Sequence, residues 1–280
     1  MIRRWLRKGL AMLLKLLFIG RRRKFAAINI ITGHAQHIGE REQQQDTFYI
    51  STQQDSEMIK QPDVLAILAD GMGGMAMGRE AGELAVQTML NEYRKRSAEE
   101  TVPQALERAL HRANQTVFEL ALDHDLEWNV GTTLIAAVIQ EEQLYWISAG
   151  DSRIYLYKNS ELVQLTRDHN YGNRLDEYVA SGTLAREEAE MHQDRHLLTS
   201  YLGIPEITEI SANQAPIHLS AGDWILLCSD GIYEELSELL LEEAATRGPA
   251  EAAEFILQHV LAQQNPYQDN ATIVILACCE

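Results

Sequence analysis

Four aspartates stand where short apolar, strand-like runs meet turns, and they are spread over 200 residues of chain. Asp70 closes the run from Val64 to Ala69 and continues into Gly-Met-Gly-Gly. Asp151 lies in Ser-Ala-Gly-Asp-Ser-Arg, Asp230 follows Trp224 to Cys228, and Asp269-Asn270 leads into Thr272 to Ala277. A fold that pairs these runs gathers the acids at one end of its strands. Several carboxylates at one place repel each other and raise their own pKa values unless a hard cation neutralises them. The pattern therefore predicts a site for Mg²⁺ or Mn²⁺.

The remaining pattern supplies the framework. Residues 78 to 96 read as a helix with Ala81, Leu84, Ala85 and Thr88 on one face. A second helix starts near Thr101, with Gln104 at capping-box spacing and an apolar stripe of Val102, Leu106, Ala109, Leu110, Ala113, Val117 and Leu120. Thr133 to Ile139, Leu144 to Ser148 and Ser152 to Tyr157 read as a β-meander. Two further helical patterns occupy roughly 234 to 245 and 250 to 263, the second started by Pro249. Strands separated by paired helices predict an α+β domain, with antiparallel sheets and helices on their outer faces.

With 280 residues, 46% of them hydrophobic, the chain can bury a substantial core, and no Pro- or Gly-rich linker divides it. Residues 1–24 differ from the rest: they hold nine of the 24 Lys and Arg, no acid, and an apolar stretch from Gly9 to Gly20 broken by Lys15. Residues 25–280 form one domain with 15 basic against 41 acidic residues. Such a body is not drawn to nucleic acid by its overall field. The basic segment is too short to span a bilayer and lacks a small-residue cleavage site before Arg21. It reads either as an amphipathic peripheral membrane contact or as an ordinary basic docking tail. Cys228, Cys278 and Cys279 make no disulfide framework, which fits a cytoplasmic protein, and the spacing of His34, His37, His169, His192 and His196 follows no zinc pattern.

The glycines after Asp70 let backbone approach a ligand closely, so Asp70 can bridge two cations while the Gly71 carbonyl supplies a further oxygen. Asp230 and Asp269 complete the three carboxylates that a two-metal centre needs. Arg41 offers a planar fork of donors to phosphoryl oxygens, or is a surface arginine between Glu40 and Glu42. Asp46 and Gln45 orient water beside the cations, or start a strand. Gly71 to Ala76 also satisfies the dinucleotide fingerprint GxGxxA, although Asp70 would place an anion beside the pyrophosphate.

Taken in order, Arg41 to Asp46, Asp70 to Gly74, Gly131-Thr132-Thr133, Ala149 to Arg153, Leu165 to His169, Ser229-Asp230-Gly231 and Asp269-Asn270 resemble the metal-dependent Ser/Thr protein phosphatases of type 2C. The resemblance implies a four-layer α-β-β-α sandwich, two antiparallel sheets flanked by helices, with two Mn²⁺ or Mg²⁺ ions in the cleft between the sheets. It implies metal ligation by Asp70, Gly71, Asp230 and Asp269, and a third, more weakly held ion at Asp151. Catalytic roles fall on Arg41 and Asp46, with hydrolysis of phosphoserine and phosphothreonine on proteins by a metal-activated water. The implied partners are phosphoprotein substrates of a Ser/Thr kinase. Met72 stands where many eukaryotic members carry a histidine general acid, and bacterial-type members commonly have Met there. Residues 167–203 correspond to the flap beside the cleft, the expected determinant of substrate choice. A catalytically silent phosphoprotein-binding module on the same fold is the alternative. The expected location is the cytoplasm, with residues 1–24 as the candidate contact with the inner face of the membrane.

Overall fold

The computed structural model describes residues 28–51, 63–72 and 76–280. The basic segment 1–24 and the glycines at 73 and 74 lie outside the described residues. Sheet A runs in the order β1 (Asn29–His37), β11 (Ala271–Cys279), β10 (Trp224–Cys228), β6 (Arg153–Lys158) and β7 (Glu161–Gln164). Sheet B runs β2 (Asp46–Ile50), β3 (Val64–Asp70), β4 (Leu134–Gln140), β5 (Gln143–Ala149) and β8 (Ser211–Ala212), and β9 (Ile217–His218) also pairs with β5. All ladders are antiparallel.

Both faces of each sheet are covered, and the central strands read accordingly as continuous apolar runs. Leu68, Ile135, Ala137, Trp146, Ile154, Ile225, Leu227, Val274 and Leu276 fill the space between the sheets. The alternate residues of the same strands point outward. Those of sheet B meet α1 (Gly78–Tyr93) and α2 (Val102–Asp123). Those of sheet A meet α5 (Asp230–Tyr233), α6 (Glu238–Ala244) and α7 (Pro249–Ala262). The flap carries α3 (Tyr171–Ala180) and α4 (Arg186–Glu190). The result is the expected four-layer sandwich.

Local chemistry accounts for the helix ends. Thr101 and Gln104 form a capping box, the Gln104 N–H donating to Thr101 Oγ1 at 3.4 Å and the Thr101 N–H to Gln104 Oε1 at 3.0 Å. Pro at the first turn begins α7. The α2 stripe buries Val102, Leu106, Ala109, Leu110, Ala113 and Val117, while Leu120 packs at its margin. Truncating the fully buried Leu110 to Ala would cost about 2–5 kcal/mol.

Several expectations are corrected. The helix read over 78–96 ends at Tyr93, and its buried face is Ala81, Gly82, Ala85, Val86, Met89 and Leu90, with Leu84 and Thr88 at the edge. Ala81, Gly82 and Ala85 take the N-terminal part of that face, where α1 lies close to sheet B and a Cβ on Gly82 would meet the Gln45 carbonyl oxygen at 3.2 Å. The meander is broken: β4 and β5 form a hairpin in sheet B, and the chain crosses at Gly150–Ser152 to pair β6 with β10 and β7 in sheet A. The helix read over 234–245 begins only at Glu238, where Ser237 accepts the Leu240 N–H at 3.2 Å. The dinucleotide alternative falls on topology, since the helices after β3 lead to an antiparallel neighbour rather than the parallel strand of a βαβ unit. Among the described residues no helix is long and apolar enough to cross a membrane.

Candidate metal centre

Strand register brings the acids to one end of the sandwich. Asp46 opens β2 and Asp70 closes β3, and the register sets them directly opposite. β10 stops at Cys228, opposite Arg153 and Ile273, so Ser229 and Asp230 leave sheet A at the same end at which Asp269 and Asn270 enter it. Asp151 sits on the crossing between the sheets, where Gly150 takes φ +109°, a backbone conformation that glycine tolerates and L side chains resist.

Hydroxyl and amide groups of both sheets fasten this end. Ser229 Oγ and Thr272 Oγ1, on sheet A, donate to Asp46 Oδ2 on sheet B at 2.8 and 2.6 Å. Gln36 Nε2 donates to the Asp46 carbonyl at 3.1 Å. The Asp70 carbonyl accepts from Thr132 Oγ1 at 2.9 Å and from the Thr133 N–H at 2.8 Å, and the Asp70 N–H donates to Thr133 Oγ1 at 3.0 Å. Asn270 Nδ2 donates to the carbonyls of Ile38 and Gln43 at 2.7 and 3.1 Å, and Asn270 Oδ1 accepts from the Gln45 N–H at 2.7 Å. Asn270 thereby ties down the loop that carries Arg41.

Electrostatically the acids of the centre outnumber the cations that face them. Desolvation raises Asp70 well above the ordinary carboxylate range, and the charges of Asp46, Asp230, Asp151 and Asp269 push it further. Burial and then the Asp269 and Asp151 charges lift Asp230 to about 7. Burial and then the Asp168 charge lift Asp151 to about 6. Asp46 reaches about 6 because burial outweighs its hydrogen bonds to Thr272 and Ser229. Asp46 Oδ1 and Asp230 Oδ1 are buried with no hydrogen-bond partner in the protein.

Buried, unpartnered carboxylate oxygens among mutually repelling acids are the donor set that hard divalent cations require, so the residues fit Mg²⁺ or Mn²⁺. The acids are not drawn into a closed cage: among the described residues no group of three or more His, Cys, Asp or Glu side chains stands ready to hold an ion. Mutual repulsion opposes such a cage in the protein alone. Arg41 Nη2 also engages Asp269 Oδ2 at 2.5 Å. A cleft of about 570 Å³ runs from Asp151 and Asp230 to Asn173, Asp176, Arg195 and His196 of the flap.

The structure thus collects Arg41, Asp46, Asp70, Gly71, Asp151, Asp230 and Asp269 at one end of the sandwich. Arg41 is a partner of the acids rather than a lone surface cation, and Asp46 both starts its strand and joins the cluster. Sequence reasoning missed Gln36, Ser229 and Thr272 as supports of Asp46. Their signal was available only as polar residues abutting apolar strands, which is no signal without the register that pairs them.

The profile of the protein phosphatase 2C family matches residues 34–268. The serine/threonine phosphatase stp of Listeria innocua is 31% identical over 225 residues, covering 78% of this chain and 84% of that protein. The crystal structure of the Mycobacterium tuberculosis serine/threonine phosphatase PstP/Ppp is similar with a TM-score of 0.73 at 28% identity, covering 90% of this chain and 100% of that one. A structure of the PstP catalytic domain in complex with two manganese ions has a TM-score of 0.70 at 27% identity over the same shares of 90% and 100%. A matched sandwich, an ordered set of acid motifs at its open end and relatives of this identity lead to one conclusion: the chain belongs to the protein phosphatase 2C family.

Proposed function

We propose that Asp70, the Gly71 carbonyl, Asp230 and Asp269 hold two Mn²⁺ or Mg²⁺ ions in this serine/threonine protein phosphatase, that Asp151 serves a third and weaker ion, and that Arg41 and Asp46 are catalytic. The observation that carries this reading is the pair of buried, unpartnered oxygens of Asp46 and Asp230 among acids that raise one another. The two manganese ions of the PstP structure support the count. Bound divalent cations supply the charge that offsets the carboxylates and makes hydroxide available from water near neutral pH.

The chain's own residues do the rest. Ser229 and Thr272 occupy Asp46 Oδ2 and leave Oδ1 free to accept a hydrogen bond from water and orient it towards the phosphorus. Arg41 spends Nη2 on Asp269 and keeps its other donors for the phosphoryl oxygens of a phosphoserine or phosphothreonine. Met72 has a thioether and no proton to give, so the leaving group takes its proton from solvent rather than from this side chain. No thiolate nucleophile competes, because burial pushes the Cys228 thiol up. Every acid the family pattern requires is present, which removes the ground for a catalytically silent binding module.

The substrates are proteins phosphorylated by Ser/Thr kinases. The cytoplasm is the proposed location, and residues 1–24 the proposed contact with the inner face of its membrane. That segment's nine cations without an acid support this. Equal sedimentation with anionic liposomes, with and without residues 1–24, would reject the contact.

Hydrolysis of p-nitrophenyl phosphate and of a phosphothreonine peptide, read against Mn²⁺ concentration, tests the centre. Asp70→Asn is expected to lose on the order of 10³-fold or more in kcat and to weaken Mn²⁺ binding in calorimetry, while Cys228→Ser keeps both. Near-normal turnover and Mn²⁺ binding in Asp70→Asn would overturn the assignment.

A further inference from the structure

Arg153 joins two parts of the molecule that the centre needs in register. It opens β6 two residues after Asp151 and lies opposite Cys228, beside the Ser229-Asp230 turn. Its Nε donates to Asp168 Oδ1 and Oδ2 at 3.0 and 3.1 Å, and its Nη2 donates to Asp168 Oδ2 at 2.6 Å. Its Nη1 donates to Tyr155 Oη at 3.1 Å. The guanidinium also lies over the Tyr233 ring, with Cζ 3.7 Å from the centroid.

Each partner leads somewhere definite. Asp168 is the root of the flap: its carbonyl accepts Asn173 Nδ2 at 2.8 Å, and the next residue but one, Asn170, caps α3 by accepting the Asn173 N–H at 3.0 Å. Tyr233 closes the single-turn helix α5 that Asp230 opens. One planar cation therefore grips the flap with its edge and the Asp230 helix with its face. A guanidinium can do both at once, whereas an ammonium has neither the fork nor the plane.

An anion-binding role for Arg153 fits poorly. All three of its nitrogens already donate, and its side chain is only 24% exposed. A simple strand-to-loop ion pair would need the Asp168 contact but not the stack on α5.

We propose that Arg153 is a positioning residue that couples the flap, residues 167–203, to the Asp230 and Asp151 end of the centre, so that flap order and divalent-cation affinity change together. The proposal rests on the metal-binding reading above. Linkage makes it reciprocal: if an ordered flap favours the cation, the cation orders the flap by the same factor.

The test uses the full chain as wild type, Arg153→Lys and Tyr233→Leu, with Mn²⁺ alone as the probe. Calorimetry reads Mn²⁺ affinity, and hydrogen exchange of peptides from 167–203 reads flap order with and without Mn²⁺. In wild type, Mn²⁺ is expected to slow flap exchange. In both variants Mn²⁺ affinity is expected to fall by about fivefold or more, and Mn²⁺ no longer slows the flap, while the melting transition stays cooperative. Tyr233→Leu leaves the Asp168 pair in place and decides the question alone if Arg153→Lys does not fold. Variants that match wild-type Mn²⁺ affinity, or that lose affinity while Mn²⁺ still slows the flap, overturn the coupling and leave the metal centre standing. A wild type that binds no Mn²⁺ overturns both.

Discussion

Asp46 and Asp70 stand directly opposite each other on β2 and β3, and the Asp46 charge pushes Asp70 further above the ordinary carboxylate range. Two buried carboxylates set this close disfavour each other's charged form, so each favours keeping its proton. Below neutral pH the centre in the protein alone thus keeps protons that a cation must displace. That relationship links metal binding, pH and stability.

The first consequence is a reversed pH dependence. Asp46 and Asp151 titrate at about 6 and Asp230 at about 7 when folded, against about 3.9 for an unfolded aspartate. Between those limits the folded state binds more protons than the unfolded one, so these groups make stability fall as pH rises from about 4 to about 7. Metal-free protein should melt several degrees higher at pH 5.5 than at pH 7.5. Saturating Mn²⁺ should raise Tm more at pH 7.5 than at pH 5.5, because fewer protons need displacing. Scanning calorimetry in EDTA and in Mn²⁺ checks both, and an equal Mn²⁺ shift at the two pH values would contradict the argument.

Ser229 and Thr272 hold Asp46 in its charged form. Ser229→Ala or Thr272→Val removes a donor from Asp46 Oδ2 and should cost about 1–3 kcal/mol in urea denaturation. A carboxylate with fewer donors titrates higher, so the acid limb of the kcat profile should move to higher pH in each variant. An unmoved limb in both would place the titration that limits turnover elsewhere.

Gly71 has no room for a side chain. A Cβ there would meet the Gly78 carbonyl oxygen at 2.3 Å and that of Gln45 at 2.9 Å, both rigid backbone. Gly71→Ala should force α1 away from β3, cost about 1–3 kcal/mol and weaken Mn²⁺ binding. Gly248, with nothing within 4 Å of its Cβ position, is the control for space: as the N-cap of α7, Gly248→Ala should cost no more than about 1 kcal/mol and leave Mn²⁺ binding unchanged. Chemical denaturation and calorimetry separate the two outcomes.

Far from the cleft, Asp63 accepts from Arg96 Nη2 at 3.2 Å, Tyr93 Oη at 2.8 Å and Gln140 Nε2 at 3.0 Å, with its side chain 0% and that of Arg96 7% exposed. Asp63→Ala leaves a buried guanidinium without its counter-charge, which should cost about 3–5 kcal/mol and lower Tm by roughly 10 °C. Mn²⁺ affinity at 20 °C should be unchanged. A parallel fall in affinity would tie this network to the centre.

Much of this was legible because the signals were local. The Thr101–Gln104 box, Pro249, the α2 stripe and the buried runs of β3, β10 and β11 all report on neighbours within a few residues. The meander misled for the same reason. Three strand-like runs with short connections read as one sheet, and nothing local shows that Gly150 redirects the chain into the other sheet. The helix read over 234–245 failed at its start, since Ser237 takes the cap and the chain leaves Asp230 through a separate single turn.

The chain's own pattern determined that acids would terminate strands, that helices would cover sheets and that the domain would be strongly acidic, because periodicity and turn chemistry act over a few residues. Only the tertiary structure decided that Asp46 faces Asp70, that Ser229 and Thr272 reach across the sandwich to Asp46, and that Arg153 lies between Asp168 and Tyr233. These contacts join residues up to 226 positions apart. Their partners are selected by sheet order and register, which the whole core sets at once.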